Sequence, residues 1–369
     1  MRARAPLLGL ALALVSGCAR PPRPANLVLD PPSPEARERL CAWFGDERDG
    51  TLYFGEAAFW WASQQHGGDA LADSRELGPK RIGRFDLASE RMLPPLEVAQ
   101  SGRTGVWDVL AHPNGRVYFT AYGELAGFVE PATGRVTLLP ALGDGLNELA
   151  LGPAGSILIT RYGGSDGRGG AVLRVDEDGG LLAEFPVPGP ADVVTAPKSV
   201  AYDALRDQIW INTDLFSRKD GSPLGWDARV LDGAGRELYR YSEPRLDFFV
   251  FAPDGTGHFA ESDGSRLRLR SVPPDPALST WKDGREVVLD EAFPFWLDVV
   301  QDLKPANDGS VVATRWTGHL YVVDPSGRVR AADLPPPERG GFYYTAVLHG
   351  NRVCATYCAD VGVVCADLP

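Results

Sequence analysis

Asn114-Gly115-Arg116-Val117-Tyr118-Phe119-Thr120 sets the pattern of the whole chain: a turn containing Gly, an alternating apolar strand, and a small polar residue at its end. The phrase returns as Ala154-Gly155-Ser156-Ile157-Leu158-Ile159-Thr160 and as Asp308-Gly309-Ser310-Val311-Val312-Ala313-Thr314. Looser copies stand at Asp49-Gly50, Asp207-Gln208, Asp254-Gly255 and Gly350-Asn351. A unit that recurs roughly every 40 to 65 residues is one supersecondary element used many times.

Between these turns, short β-branched and aromatic runs are bounded by Gly, Pro and Asp, and helical periodicity is hard to find after residue 41. Such a pattern belongs to an all-β chain. A second turn alternates with the first and follows an acid: Glu130-Pro131-Ala132-Thr133-Gly134, Asp176-Glu177-Asp178-Gly179, Asp232-Gly233-Ala234-Gly235 and Asp324-Pro325-Ser326-Gly327, with Asp86 in the matching place of the first unit. Those acids read as turn formers that bond nearby backbone amides. Each unit then holds four strands, here called a to d, with the Gly turn joining a to b and the acid turn joining c to d. Four-stranded antiparallel units repeated at this pitch build a β-propeller, which leaves only short, protected sheet edges. Units begin near residues 41, 106, 146, 198, 247, 300 and 342, which predicts seven blades, or six if the first and last units share one sheet. The last unit has three strands, and Asn26-Leu27-Val28-Leu29-Asp30 is placed to complete it and close the ring.

The start of the chain reads as an export signal. Arg2 and Arg4 precede the apolar run Pro6 to Val15, which is too short to span a bilayer. Val15-Ser16-Gly17-Cys18 resembles the bacterial lipobox, which implies lipidation at Cys18; an ordinary cleaved signal with an incidental Cys is the other reading. Ala19 rather than Asp after the Cys implies no inner-membrane retention, hence an extracytoplasmic protein anchored in the outer membrane of a bacterial envelope. The expected layout is a signal peptide over 1–17, a Pro-rich tether over 18–36 and one propeller domain over 37–369.

Loss of the two signal-peptide Arg takes the formal charge from −12 to −14. With no basic run, such a surface is repelled by phosphate backbones, so nucleic acid is not an expected partner. Four cysteines remain beside Cys18, and an even number in an exported protein predicts two disulfides. If Ala359-Asp360 is a two-residue hairpin turn, Cys354 faces Cys365 and Cys358 is left for Cys41 in the first blade; two other pairings exist. A crosslink closing about 300 residues contributes on the order of 4–5 kcal/mol when unstrained.

Pro113-Asn114-Gly115-Arg116-Val117-Tyr118-Phe119-Thr120 and Pro253-Asp254-Gly255 resemble the turn-and-strand phrase of NHL-type and gluconolactonase/regucalcin-like propellers, over residues 41 to 369. That group includes calcium- or zinc-dependent lactonases and plain binding scaffolds. The resemblance implies the fold and, for a lactonase, acids and Asn side chains around the channel; here only Asn147 sits near such a place and Lys198 occupies another.

Two-residue Gly turns would set the register of strands a and b. They place Glu148 opposite Arg161 and Asp302 opposite Arg315, and set Asp108 against Ala121, Trp43 against Glu56 and Phe248 against Glu261. On that register Glu148 and Asp302 are paired acids, and replacing Arg315 by Ala costs little if its pair with Asp302 is exposed, whereas a loss of several kcal/mol means a buried pair and a mouth placed elsewhere. Asp108, Glu56 and Glu261 are then unpaired carboxylates at one channel mouth, next to Tyr122, Tyr162 and Trp316 and near Phe59-Trp60-Trp61. Rings beside Arg and carboxylates suit a polar organic ligand, or else they pack blade against blade. The expected function is a membrane-anchored module binding a small molecule or protein, without catalysis, cofactor or metal. One alternative is a lactonase-type hydrolase in which Asp108 with Glu56 or Glu261 holds Ca2+ or another divalent cation. Another is a structural part of an envelope complex. The five His are scattered, and Gly163 to Gly170 reads as a loop with no helix after it.

Overall fold

The computed structural model describes residues 40–58, 80–98, 105–121, 125–162, 169–262, 266–275, 280–290, 300–335, 342–357 and 362–369. The signal peptide, Cys18, the tether, the strand expected at 26–30, Phe59 to Trp61, Tyr122 and Cys358 lie outside them.

The chain is a seven-bladed β-propeller. Seven antiparallel sheets follow one another along the sequence, over residues 40–97, 106–138, 146–186, 193–241, 245–290, 300–333 and 343–367. Six have four strands in meander order, and the seventh shows three among the described residues. The seven strands a are Leu40–Arg48, Val106–Ala111, Leu146–Leu151, Val193–Asp203, Arg245–Phe251, Val300–Pro305 and Tyr343–His349. Each touches the strand a of the next blade, and the last touches the first, so these strands form the inner wall of a ring.

The apolar side chains fill the wedges between neighbouring blades. Tyr118, Phe128, Ile157 and Leu173 join blades 2 and 3, Trp210, Phe249 and Phe259 join blades 4 and 5, and Leu52, Phe54, Val347 and Val363 seal blade 7 to blade 1. In the last blade Cys354 faces Cys365 as expected, and the two are bonded. Cys41 is also in a disulfide, and its expected partner Cys358 lies outside the described residues. The acid turns hold as read: Asp176, Asp232 and Asp324 each accept backbone N–H groups within their own turns.

The Gly turns differ from expectation. In blades 2, 3, 5 and 6 the last paired residues are His112 with Arg116, Gly152 with Ser156, Ala252 with Thr256 and Ala306 with Ser310. These loops therefore hold three residues, such as Pro113-Asn114-Gly115, and end on a Gly with positive φ (89° at Gly115, 75° at Gly155), the backbone that a three-residue hairpin loop demands. Only blades 1 and 7 turn in two residues, at Asp49-Gly50 and Gly350-Asn351.

A second departure recurs in all seven blades. Strand a carries one residue more than strand b, with the ladder broken at Ala42/Gly45, Val106/Asp108, Leu146/Leu149, Pro197/Ser199, Leu246/Phe248, Val300/Asp302 and Tyr343/Ala346. A bulge leaves backbone groups outside the ladder, and these need other partners when buried. At three of these bulges the small polar residue that ends the repeat supplies them from the blade before. Thr120 Oγ1 donates to the Asn147 carbonyl, Asn212 Nδ2 to the carbonyls of Leu246 and Asp247 at 2.9 Å, and Thr356 Oγ1 to the Trp43 carbonyl at 2.9 Å, which ties the last blade to the first. Blade 1 has Gly55 at this position, and a Cβ there would stand 2.6 Å from the Val106 carbonyl oxygen.

Thr356 Oγ1 also accepts from Thr345 N at 3.1 Å, so T356V strands two buried backbone groups while keeping the side chain's shape. The expected loss is about 1–3 kcal/mol in denaturant unfolding. G55A should cost a similar amount, about 1–3 kcal/mol, because the obstacle is backbone that cannot swing aside.

Candidate functional site

The seven inner strands enclose a cavity of about 650 Å³, within the size range of small-ligand pockets. It runs from the Gly turns, where Pro113, Ala154, Pro253 and Asn307 form its rim, inward to Phe44, Asp108, Glu148, Phe248 and Asp302 at the level of the bulges. Behind this inner end the bulge residues stack on one another: Trp43 lies 4.1 Å from Trp107 and 4.4 Å from Tyr344, and Phe44 lies 5.5 Å from Trp107. These rings obstruct the end where strands a begin, so the cavity faces the Gly turns, opposite to the mouth expected from the sequence.

Asp108, Glu148 and Asp302 line the cavity and are 6%, 7% and 6% exposed. Asp108 accepts from Val109 N at 2.8 Å and, across the blade boundary, from Leu149 N at 2.7 Å. Burial pushes its carboxyl up to about 7, against the pull of Lys304. Asp302 accepts from Thr345 Oγ1 of the next blade at 2.6 Å and lies 3.6 Å from Lys304 Nζ. Asp46, partly buried on the same wall, accepts from Glu47 N and from Ala111 N of the next blade, both at 3.0 Å. Burial raises the carboxyls of Asp302 and Asp46 as well, with Lys304 the main opposing influence.

Glu148 differs from these three. Its Oε1 is buried and makes no hydrogen bond. Burial, and then the neighbouring Asp108, drive its carboxyl well above the usual range, while Lys198 and Lys304 oppose them. Burial alone would weaken the charge on Lys304, but Asp302, Asp46, Asp108 and Glu148 together hold its ammonium above its ordinary pKa. The wall is thus four carboxylates around one lysine, with an aromatic inner end.

The expected pairings of the acids are reversed here. Strand a of blade 3 sets Leu146, not Glu148, against Arg161, and strand a of blade 6 sets Val300, not Asp302, against Arg315. The three-residue loops shift the register by one and the bulge shifts it again, which re-aims the side chains at that level. Arg161 instead bonds Glu184 at 2.6 Å, and Arg315 bonds Asp290 at 2.7 Å and Tyr321 Oη at 2.9 Å. Asp108 pairs with Thr120 rather than Ala121, and Phe248 with Ala260 rather than Glu261. Trp43 falls in the bulge, while Ala42 faces Glu56.

Nor are Glu56 and Glu261 unpaired. Glu56 lies 3.0 Å from Arg81, with burial nonetheless pushing its carboxyl up to about 7. Glu261 accepts from Arg270 at 2.8 Å, Arg268 at 3.3 Å and Trp281 Nε1 at 3.2 Å. Neither lines the cavity, so the ligand set expected for a divalent cation is dispersed. Among the described residues no group of three or more His, Cys, Asp or Glu is placed to hold a metal ion. Tyr162 Oη accepts from Asn147 Nδ2 at 3.1 Å, and the Trp316 ring lies 4.7 Å from Phe342 of the next blade. Asp46 and Lys304 were not singled out from the sequence. The signal was there for Lys304, which is two residues after Asp302 on one strand and therefore on the same face.

No known family profile matches the chain, and no curated protein matches its sequence. Solved structures do match in fold. A catalytically inactive virginiamycin B lyase from Staphylococcus aureus, solved with quinupristin, aligns with a TM-score of 0.56 at 12% identity over 89% of this chain and 96% of that one. The extracellular domain of a protein assigned as a hybrid two component system from B. thetaiotaomicron gives 0.53 at 10% identity, over 89% of this chain and 39% of the other. At these identities the likeness establishes the propeller and nothing about its chemistry.

Arg315 is 4% exposed, so R315A, which an exposed pair would make mild, should cost about 1–3 kcal/mol by removing its bonds to part-buried Asp290 and to Tyr321 Oη. A second outcome concerns pH. Asp108 and Glu56 bind their protons more tightly in the folded chain, up to about 7, so stability is full below pH about 4 and falls as pH rises through 7. Glu148 is raised in the same direction. E148Q should therefore raise stability by about 1–2 kcal/mol at pH 8, where it replaces an unpartnered carboxylate, and change little at pH 4.5, as read by thermal melts at both pH values.

Proposed function

We propose that the protein is an extracytoplasmic ligand-binding propeller, held at the membrane through lipid on Cys18, whose site is the cavity inside the ring. The observation that carries this reading is the buried Glu148 Oε1, left without a partner on the wall of a cavity of about 650 Å³. A carboxylate in that position costs stability unless something meets it, and natural chains keep such groups where a ligand does. The other carboxylates are held rigid by the next blade, as Asp108 is by Leu149 N, so the wall is preorganised rather than formed on binding. The lipobox-like Val15-Ser16-Gly17-Cys18 and the Pro-rich stretch after it support the anchor.

Two measurements test the reading. Native mass spectrometry and thermal shift against a library of small polar compounds should find a 1:1 ligand for the wild type. The variant A306W, which crowds the rim, should fold and lose that binding; retention of full affinity would place the site elsewhere. For the anchor, C18A expressed in a lipoprotein-exporting bacterium should leave the membrane fraction and appear in the soluble one, whereas an unchanged distribution removes the lipid from the account.

A further inference from the structure

Resting on the channel as the binding site, we infer that its ligand is a small organic cation, an ammonium or guanidinium compound, engaged by Glu148 among Asp46, Asp108 and Asp302. Three independent observations on the cavity wall point to this class. The first is charge: four carboxylates line the cavity against two lysines, Lys304, which sits 3.6 Å from Asp302 and faces all four acids electrostatically, and Lys198, which faces Glu148. The second is the buried Oε1 of Glu148, an acceptor with no donor among the described residues. The third is the inner end of the cavity, where Phe44 and Phe248 lie side by side, with ring centroids 6.4 Å apart. The Lys198 ammonium already sits 5.4 Å from the Phe248 ring centre, so this ring accepts a cation from within the protein. Aromatic faces beside carboxylates are the chemistry that selects ammonium groups, through the ring quadrupole and direct charge pairing in a desolvated place.

The same wall disfavours other classes. An anion would face the Asp46, Asp108, Glu148 and Asp302 carboxylates that line the same cavity. A neutral sugar would have to supply a donor to Glu148 while leaving the acids' mutual repulsion in place. A bare divalent cation lacks a group of three converging ligands among the described residues. An organic cation spreads its charge over a volume that such a cavity accommodates.

The test is isothermal titration and thermal shift of the exported protein at pH 8 with putrescine, and with 1,4-butanediol and succinate as neutral and anionic compounds of similar length. Putrescine should bind with a stoichiometry of one, and the diol and the diacid should not. E148Q should weaken it tenfold or more, while E97Q, a neutralised acid on an exposed outer strand, should change nothing. Equal loss in E97Q and E148Q would mean diffuse attraction to an acidic surface and overturn the inference. Binding of the diol with an affinity that E148Q leaves intact overturns the cation while sparing the channel as a site. No binding of any of the three, together with A306W that leaves library hits unaffected, overturns the channel reading itself.

Discussion

Each blade of this propeller carries one surplus residue on its innermost strand, and the ring depends on how that surplus is absorbed. The bulge turns carbonyl groups out of their own sheet toward the blade before. Thr120, Asn212 and Thr356 meet them, and at blade 1 the same approach is managed by removing the side chain altogether at Gly55. Repeat architectures are stabilised by contacts between neighbours; here polar contacts join the blades at the bulges and again at the turns, where Arg116 bonds Asp178 and Arg330 bonds Asn351 of the next blade. The ring is closed by the same device, through Thr356 and Trp43, together with the apolar wedge between blades 7 and 1.

The level of the bulges is also where the channel acquires its character. The bulge residues supply the rings that stack across one end, among them Trp43, Phe44, Trp107 and Tyr344. The residues beside them supply Asp108, Glu148 and Asp302. Two of these acids serve the ring as well as the cavity, since Asp108 holds Leu149 N and Asp302 holds Thr345 Oγ1 in the following blade. Glu148 has no such duty, and this difference separates a carboxylate that belongs to the scaffold from one free to meet a ligand.

The fold was legible because its signal is redundant. The Gly-turn phrase, the acid turn and the pitch of the units each imply four-stranded blades, and the seven unit starts fall close to the seven inner strands. The Cys354–Cys365 bond was legible too, since the register expected for those two strands sets the two cysteines opposite one another. The register of the channel was not. A Pro-x-Gly sequence such as Pro113-Asn114-Gly115 fits a loop of two residues or of three, and a one-residue difference exchanges the two faces of a strand. The bulge has no local sequence mark; in blades 1, 3 and 5 its carbonyls are met by a Thr or Asn of the neighbouring blade. Glu148 and Asp302 were thereby assigned to Arg161 and Arg315, whose real partners, Glu184 and Asp290, lie on outer strands that pairing of strands a and b does not reach.

The central claim, that the shifted register turns Glu148 into the cavity and Arg161 away from it, is open to a direct chemical test. Cysteine would be introduced by E148C and separately by R161C, with the native disulfides left intact, and the rate of modification by a small cationic thiosulfonate measured with and without A306W. The account predicts that the thiol at position 148 is modified, faster by the cationic reagent than by an anionic one, and that the rim substitution slows it. Ready modification at position 161 with none at 148 would contradict it.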